Sequence, residues 1–142
     1  MALVLKADEY LAAQKAAEPS EHLPVVDLVR NGLPVSLVEE AAGRLGVSLQ
    51  DLTSLGILAA RTVAHSRKQG RFSPQQSDRV SRFFRVFQHG VDTFGSSDRA
   101  RRWFERPTRA LGGSRPVDLL DTDEGAGLVD DLLTRIDHGL AA

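Results

Sequence analysis

Cysteine is absent from this 142-residue chain, and tryptophan and tyrosine occur once each. Without cysteine there can be no disulfide, no thiolate nucleophile and no thiolate metal site, and the composition fits a reducing compartment. Apolar runs are short. The N-terminus begins Met1-Ala2-Leu3-Val4-Leu5 but soon meets Lys6, Asp8 and Glu9, which makes neither a signal peptide nor a membrane span. A soluble cytoplasmic protein with no membrane partner is therefore expected. The four histidines, His22, His65, His89 and His138, stand far apart with no ligand set beside them, so no metal is predicted. No segment reads as a strand, and Gly112-Gly113-Ser114 is too short to form a nucleotide loop on its own. No catalytic residue and no cofactor is assigned. The pattern is that of an interaction protein, not an enzyme.

Charge is present in quantity, and it is segregated. Residues 1–60 carry four basic and eight acidic side chains, residues 61–115 carry thirteen and four, and residues 116–142 carry one and seven. The net charges are −4, +9 and −6, almost cancelling to −1. A block at +9 suits a polyanion such as DNA, and it is equally compatible with a set of solvated helix faces.

Helical periodicity runs along the whole chain, so an all-α fold is expected. Residues 2–17, with Leu3, Leu5 and Leu11, predict a loose first helix. After Glu18-Pro19-Ser20-Glu21, a short apolar helix runs from about Pro24 to Arg30 and stops at Asn31-Gly32. Residues 1–35 read as an N-terminal helical appendage. Ser36-Leu37-Val38-Glu39 has the form of a capping box, opening a helix that Gly46 ends, and Ser48-Leu49-Gln50-Asp51 opens a short one that stops at Gly56-Ile57. Helical composition resumes over Ala59 to Gln69. Two short helices joined through Gly and a buried aliphatic residue form a helix-turn-helix pattern. Its second helix would turn Val63 inward and leave Arg61, Thr62, His65, Ser66, Arg67 and Lys68 to DNA.

Ser73-Pro74-Gln75-Gln76 is the strongest helix start, with an N-cap Ser, Pro at the first position and Gln at the third. Val80, Phe83, Phe84, Phe87, Val91 and Phe94 then form one core stripe, and Arg79, Arg82 and Arg85 recur on the other side. That row could meet phosphates or be solvated. Gly95 closes the helix, and Ser97 is the expected cap of the next, which carries Ala100, Trp103 and Phe104 to Pro107. Trp103 suits a core anchor or a subunit interface. Gly112, Gly113 and Pro116 then force a shaped connector, Ala110 to Leu120. Thr122 is the expected N-cap of a last helix, with Leu128, Val129, Leu132, Leu133, Ile136 and Leu140 as its apolar stripe.

From Ser36 onward the chain resembles the MbcA/ParS/Xre family of bacterial antitoxins. The resemblance is carried most specifically by Ala100, Trp103-Phe104, Pro107, Ala110-Leu111-Gly112-Gly113, Arg115-Pro116, Asp118-Leu119-Leu120, Thr122, Gly125, Leu132, Arg135-Ile136 and Gly139. Gly56-Ile57, Arg61-Thr62-Val63, Gly70, Ser73-Pro74 and Ser77-Asp78-Arg79 match more loosely. It implies an Xre-like helix-turn-helix domain, 36–95, followed by a toxin-binding helical domain, 96–142, in a protein that is usually a homodimer. It further implies a type II antitoxin that neutralises a RES-domain, NAD-degrading toxin and represses its own operon at the promoter. Carried over residue by residue, the DNA role falls on Arg61, Thr62, His65, Arg67, Lys68 and Arg71. The toxin-contacting end falls on Asp137, His138, Gly139, Leu140, Ala141 and Ala142. Asp130, Asp131, Asp137 and the terminal carboxylate would suit a basic cleft that takes the phosphates of NAD. The same acids also fit the polar face of an amphipathic helix. The implied role of Gly112, Gly113, Arg115, Pro116 and Trp103 is structural. Two departures from the pattern are visible: one extra residue between Gly56 and Arg61, and Thr108 where the family has a turn-forming Asn. A stand-alone helix-turn-helix regulator with no toxin is the competing reading.

Overall fold

The computed structural model describes residues 4–140, and these are all-α. Helices run α1 Ala7–Lys15, α2 Leu23–Asn31, α3 Val35–Arg44, α4 Leu49–Ser54, α5 Ala60–Gln69, α6 Pro74–Phe94, α7 Ser97–Phe104 and α8 Asp123–Asp137. Short 3-10 turns at Pro19–His22, Arg109–Leu111 and Pro116–Leu119 join them. Leu3, expected in the first helix, lies outside the described residues.

The core is built on α6. Ser73 accepts from the Gln76 amide and the Gln76 side chain accepts from the Ser73 amide, so the expected capping box is made, with Pro74 at the first position. Val80, Phe83, Phe84 and Phe87 are fully buried, and Val91 and Phe94 pack at the margin. Phe83 stacks on Phe87 at 5.1 Å, Phe87 meets Phe104 of α7 at 5.4 Å, and Phe84 meets Tyr10 of α1 edge-on at 6.0 Å. The helix packs against α1, α2, α7 and α8.

Tyr10 corrects the expectation of a loose first helix. Its hydroxyl donates to Ser81 Oγ at 3.0 Å, and Gln14, one turn on, donates to the Ser81 carbonyl at 2.9 Å. Gln88 in turn donates to Gln14 Oε1 at 3.2 Å. Burial pushes the Tyr10 phenol far above its ordinary range, against the lowering effect of its hydrogen bond to Ser81. The docking face of α1 is therefore half polar, with Gln14 buried beside Leu11. A leucine and alanine pattern does not register such a face.

Two helix starts move by one or two residues. Helix α3 begins at Val35, with Pro34 as its N-cap, so Ser36 sits exposed inside the first turn and makes no cap. The cause is tertiary. Val35 N donates to Gly70 O and Phe72 N to Leu33 O, a bridge between the segment after α2 and the segment after α5 that fixes where α3 starts. Ser96, not Ser97, caps α7 through the Arg99 amide.

The connector is closed by main-chain hydrogen bonds from Thr108 N to Ser114 O and from Gly113 N to Thr108 O, each at 3.0 Å. Thr108 contributes through its backbone and through its hydroxyl, which donates to the Arg106 carbonyl at 3.1 Å. Arg115 bonds Asp118 with two parallel contacts of 2.8 Å, Pro116 is buried, and half-buried Trp103 packs tilted against Phe94 and edge-on to Phe104. The Arg115 guanidinium also holds the Asp118 carboxyl below its usual range.

Gly125, in the first turn of α8, is where the connector touches the helix most closely. A Cβ built there would collide with the Leu119 carbonyl group. Gly125→Ala is expected to cost about 1–2 kcal/mol through this overpacking. Thermal denaturation should show the melting temperature falling by roughly 2–8 °C. An unchanged melting temperature would mean the connector yields freely.

Candidate functional site

Two surfaces hold the nominated side chains. The first is the helix-turn-helix of α4 and α5. Ser48 and Asp51 form a capping box at the start of α4, and Leu55, Ile57 and Leu58 bury the turn that follows. Ile57 N donates to Leu52 O at 2.9 Å and Gly56 N to Thr53 O at 3.0 Å, which ends α4 sharply. Ile57 and Leu58 are both buried in this turn. The Arg101 guanidinium bonds Asp51 at 2.8 Å, lowers the pKa of that carboxyl, and ties α7 to the start of α4.

On α5, Arg61, His65, Arg67 and Lys68 are exposed and Thr62 is half-buried. Arg67 makes only a long, solvated contact of 3.9 Å with Glu39, a pair of little energetic weight. Ser66 is corrected: it is 2% exposed, because its position three residues after buried Val63 places it on the inward face. Arg71 lies beyond the helix, and its guanidinium donates to the Gly32 carbonyl at 2.7 Å, bracing the end of α2. Ala59 supplies no side-chain cap, and among the described residues no side chain accepts from the first amides of α5.

The arginine row of α6 is divided. Arg82 is buried, and it bonds Asp78 at 2.6 Å, Asp123 at 2.9 Å and the Leu120 carbonyl at 3.2 Å. It pins the connector and the start of α8 to α6, and is neither solvated nor open to phosphate. Arg79 and Arg85 remain exposed.

The second surface is the end of α8. Its apolar stripe is shifted from the expected one: Ala126, Val129, Leu132 and Leu133 are buried, whereas Leu128 and Leu140 are 58% and 55% exposed. Leu140 N donates to Arg135 O at 2.8 Å and Gly139 N to Ile136 O at 2.9 Å, a Schellman motif. It requires the left-handed backbone of Gly139, whose φ is +73°. The helix is therefore ended by a defined turn that presents Leu140 to solvent. His138 and Asp131 are exposed, and among the described residues Asp131 makes no ion pair. Ala141 and Ala142 lie outside the described residues.

Asp130 and Asp137 are not free acids. Asp130 Oδ1 lies 2.7 Å from His89 Nδ1, Asp137 Oδ2 lies 2.7 Å from His89 Nε2, and Thr93 Oγ1 donates to Asp137 Oδ1 at 2.6 Å. Burial acts to lower the His89 pKa, but the two carboxylate hydrogen bonds outweigh it and raise the value above the ordinary one. The Thr93 hydroxyl and then His89 lower that of Asp137. The carboxylates bind opposite ring nitrogens, so they do not converge on a common metal position. Sequence reading missed His89 and Thr93. The available signal was the seven-residue spacing of Asp130 and Asp137, which puts both on one face of α8.

Comparison with known proteins covers both surfaces. Residues 24–85 match the profile of the antitoxin Xre-like helix-turn-helix domain, and residues 89–139 that of the antitoxin Xre/MbcA/ParS C-terminal toxin-binding domain. The chain is 36% identical over 129 residues to Antitoxin Xre of Photorhabdus laumondii, covering 87% of this chain and 86% of that one. Against Antitoxin Xre of Yersinia enterocolitica it is 31% identical over 118 residues, covering 82% and 80%. A shorter match, 41% over 52 residues and 37% and 33% of the two chains, is to the Prs ADP-ribosylating antitoxin of a Sphingobium species.

Proposed function

We propose, from the premise that this chain belongs to the Xre/MbcA/ParS antitoxin family, that it neutralises a RES-domain, NAD-degrading toxin and represses its own operon. The single observation that carries the first part is the end of α8: an acidic helix finished by a Schellman turn that leaves Leu140 exposed. A cleft that takes the diphosphate of NAD is basic, and a helix end with Asp131 exposed and Leu140 at its tip complements it in charge and supplies an apolar anchor. Contact falls on Asp131, His138, Gly139 and Leu140, with Ala141 and Ala142 following in sequence. Asp130 and Asp137 shape this end and add to its negative field.

For DNA, Arg61, Thr62, His65, Arg67 and Lys68 form the reading face of α5, and its uncapped first amides suit a phosphate. A homodimer would place two such helices on a palindromic operator. Arg61→Ala is expected to weaken binding to promoter DNA by about 1–2 kcal/mol, or five- to thirty-fold. A mobility shift indistinguishable from that of the intact protein would remove α5 from the interface. The whole reading is tested by co-expression with the protein of the neighbouring reading frame. Co-purification, restored cell survival and preserved NAD levels are expected, and a neighbour without a RES-type domain, or a toxin left fully active, overturns it.

A further inference from the structure

We propose that His89, assisted by Thr93, is a positioning residue for the toxin-facing end of α8: it clasps Asp130 and Asp137 and so sets the direction in which His138, Gly139 and Leu140 leave the helix. This rests on the assignment of that end as the toxin contact.

The argument starts from donors and acceptors. Two ionised carboxylates only accept, and each has a ring nitrogen of His89 2.7 Å away. A neutral imidazole carries one N–H, so only the imidazolium can satisfy both. The bonds reach α8 at Asp130 and at Asp137, its last residue, two turns apart along one face. Fixing a helix at two points on one face removes both its roll and its fraying. Thr93 adds a third point, at 2.6 Å from the other Asp137 oxygen. Immediately beyond, the Schellman bonds from Gly139 and Leu140 run back to Ile136 and Arg135, so they hold only while the last turn is helical. The clasp and the terminal turn are thus linked mechanically. A contact segment ordered before binding loses less conformational entropy on docking.

The charged groups that act on His89 are Asp130 and Asp137 of α8, and Asp137 also feels His138. On the α1 side of α6, the nearby Asp92 is already paired with Lys15 at 2.8 Å. Because the folded-state pKa is raised, the clasp is complete below the ordinary histidine value of 6.5 and is lost as pH rises through the raised value.

The test uses the full chain and the purified RES-domain protein encoded beside it. In His89→Gln, hydrogen exchange at the amides of Gly139 and Leu140 should accelerate about tenfold, and toxin binding should weaken about tenfold at pH 6, the gap closing as pH rises through the raised His89 value. Thr93→Val, which removes one hydroxyl from a half-buried surface, should move both readouts in the same direction by about threefold, and stands in if His89→Gln does not fold. Unchanged exchange in a folded variant, faster exchange with unchanged toxin binding, or a binding deficit that does not narrow with pH overturns the positioning role. Truncation after His138 separates this from the underlying assignment. If truncation leaves toxin binding intact, the assignment itself falls. If truncation abolishes binding while His89→Gln binds normally, only the positioning role falls.

Discussion

Removal of residues 139–142 is expected to weaken toxin binding by about 2–4 kcal/mol, roughly 30- to 1,000-fold, while promoter binding and thermal stability stay near those of the intact chain. The magnitude follows from what is lost. Leu140 is the large apolar side chain exposed at the end of α8, and the Gly139 turn that presents it would go with it. Stability is spared because Leu133 and Val129, the side chains that bury α8 in the core, lie upstream. Calorimetry with the purified toxin, beside a mobility shift on promoter DNA, separates the two activities. Full protection of cells by the truncated protein would place the toxin contact elsewhere, with the exposed Leu128 face of α8 the next region to probe.

Arg82→Ala is expected to destabilise the fold by about 2–3 kcal/mol, lowering the melting temperature by roughly 5–10 °C. The Arg82 side chain is 9% exposed, but its carboxylate partners are not buried: Asp78 and Asp123 are 58% and 85% exposed at their side chains. Once Arg82 is gone those acids return to water. The cost of an orphaned buried charge therefore does not apply, and the larger figure for breaking a fully buried pair is too high. What remains is the loss of the guanidinium from the Leu120 and Asp121 carbonyls, at 3.2 and 3.4 Å, and the cavity it leaves between α6 and the connector. Arg82→Lys should recover little, because a single ammonium cannot reproduce a fork that spans three chain segments. Full recovery by lysine in a thermal melt would show that charge alone, not the fork, holds the connector.

The fold was legible where its causes are local. The Ser73, Ser48 and Thr122 starts rest on a side chain meeting an amide three residues away, and all three form as read. The aromatic stripe of α6 follows from 3.6-residue periodicity and a wide apolar face. Two starts were misread: at Ser36 the competing partner was far along the chain, the Gly70 carbonyl that takes the Val35 amide, whereas at Ser97 the cap was simply the adjacent serine, Ser96. Helix α1 was underrated because its anchors, Tyr10 and Gln14, dock through hydrogen bonds to Ser81, 71 and 67 residues away. At the candidate site, periodicity placed Val63 inward but did not extend the inference to Ser66, one turn further on the same face.

Charge shows the division most clearly. That this chain is helical, that it has no thiol chemistry, that its basic block precedes an acidic end, and that its family is an antitoxin family were all contained in residue order, because caps, helical faces and motifs are relations over a few positions. Which charges are available was not. Arg82 looked like a member of an open row and is a buried pin, while Asp130 and Asp137 looked like open acids and are held by His89, 41 and 48 residues earlier. Those outcomes depend on how α8 lies across α6. Helix packing brings together groups whose separation along the chain carries no periodic signal.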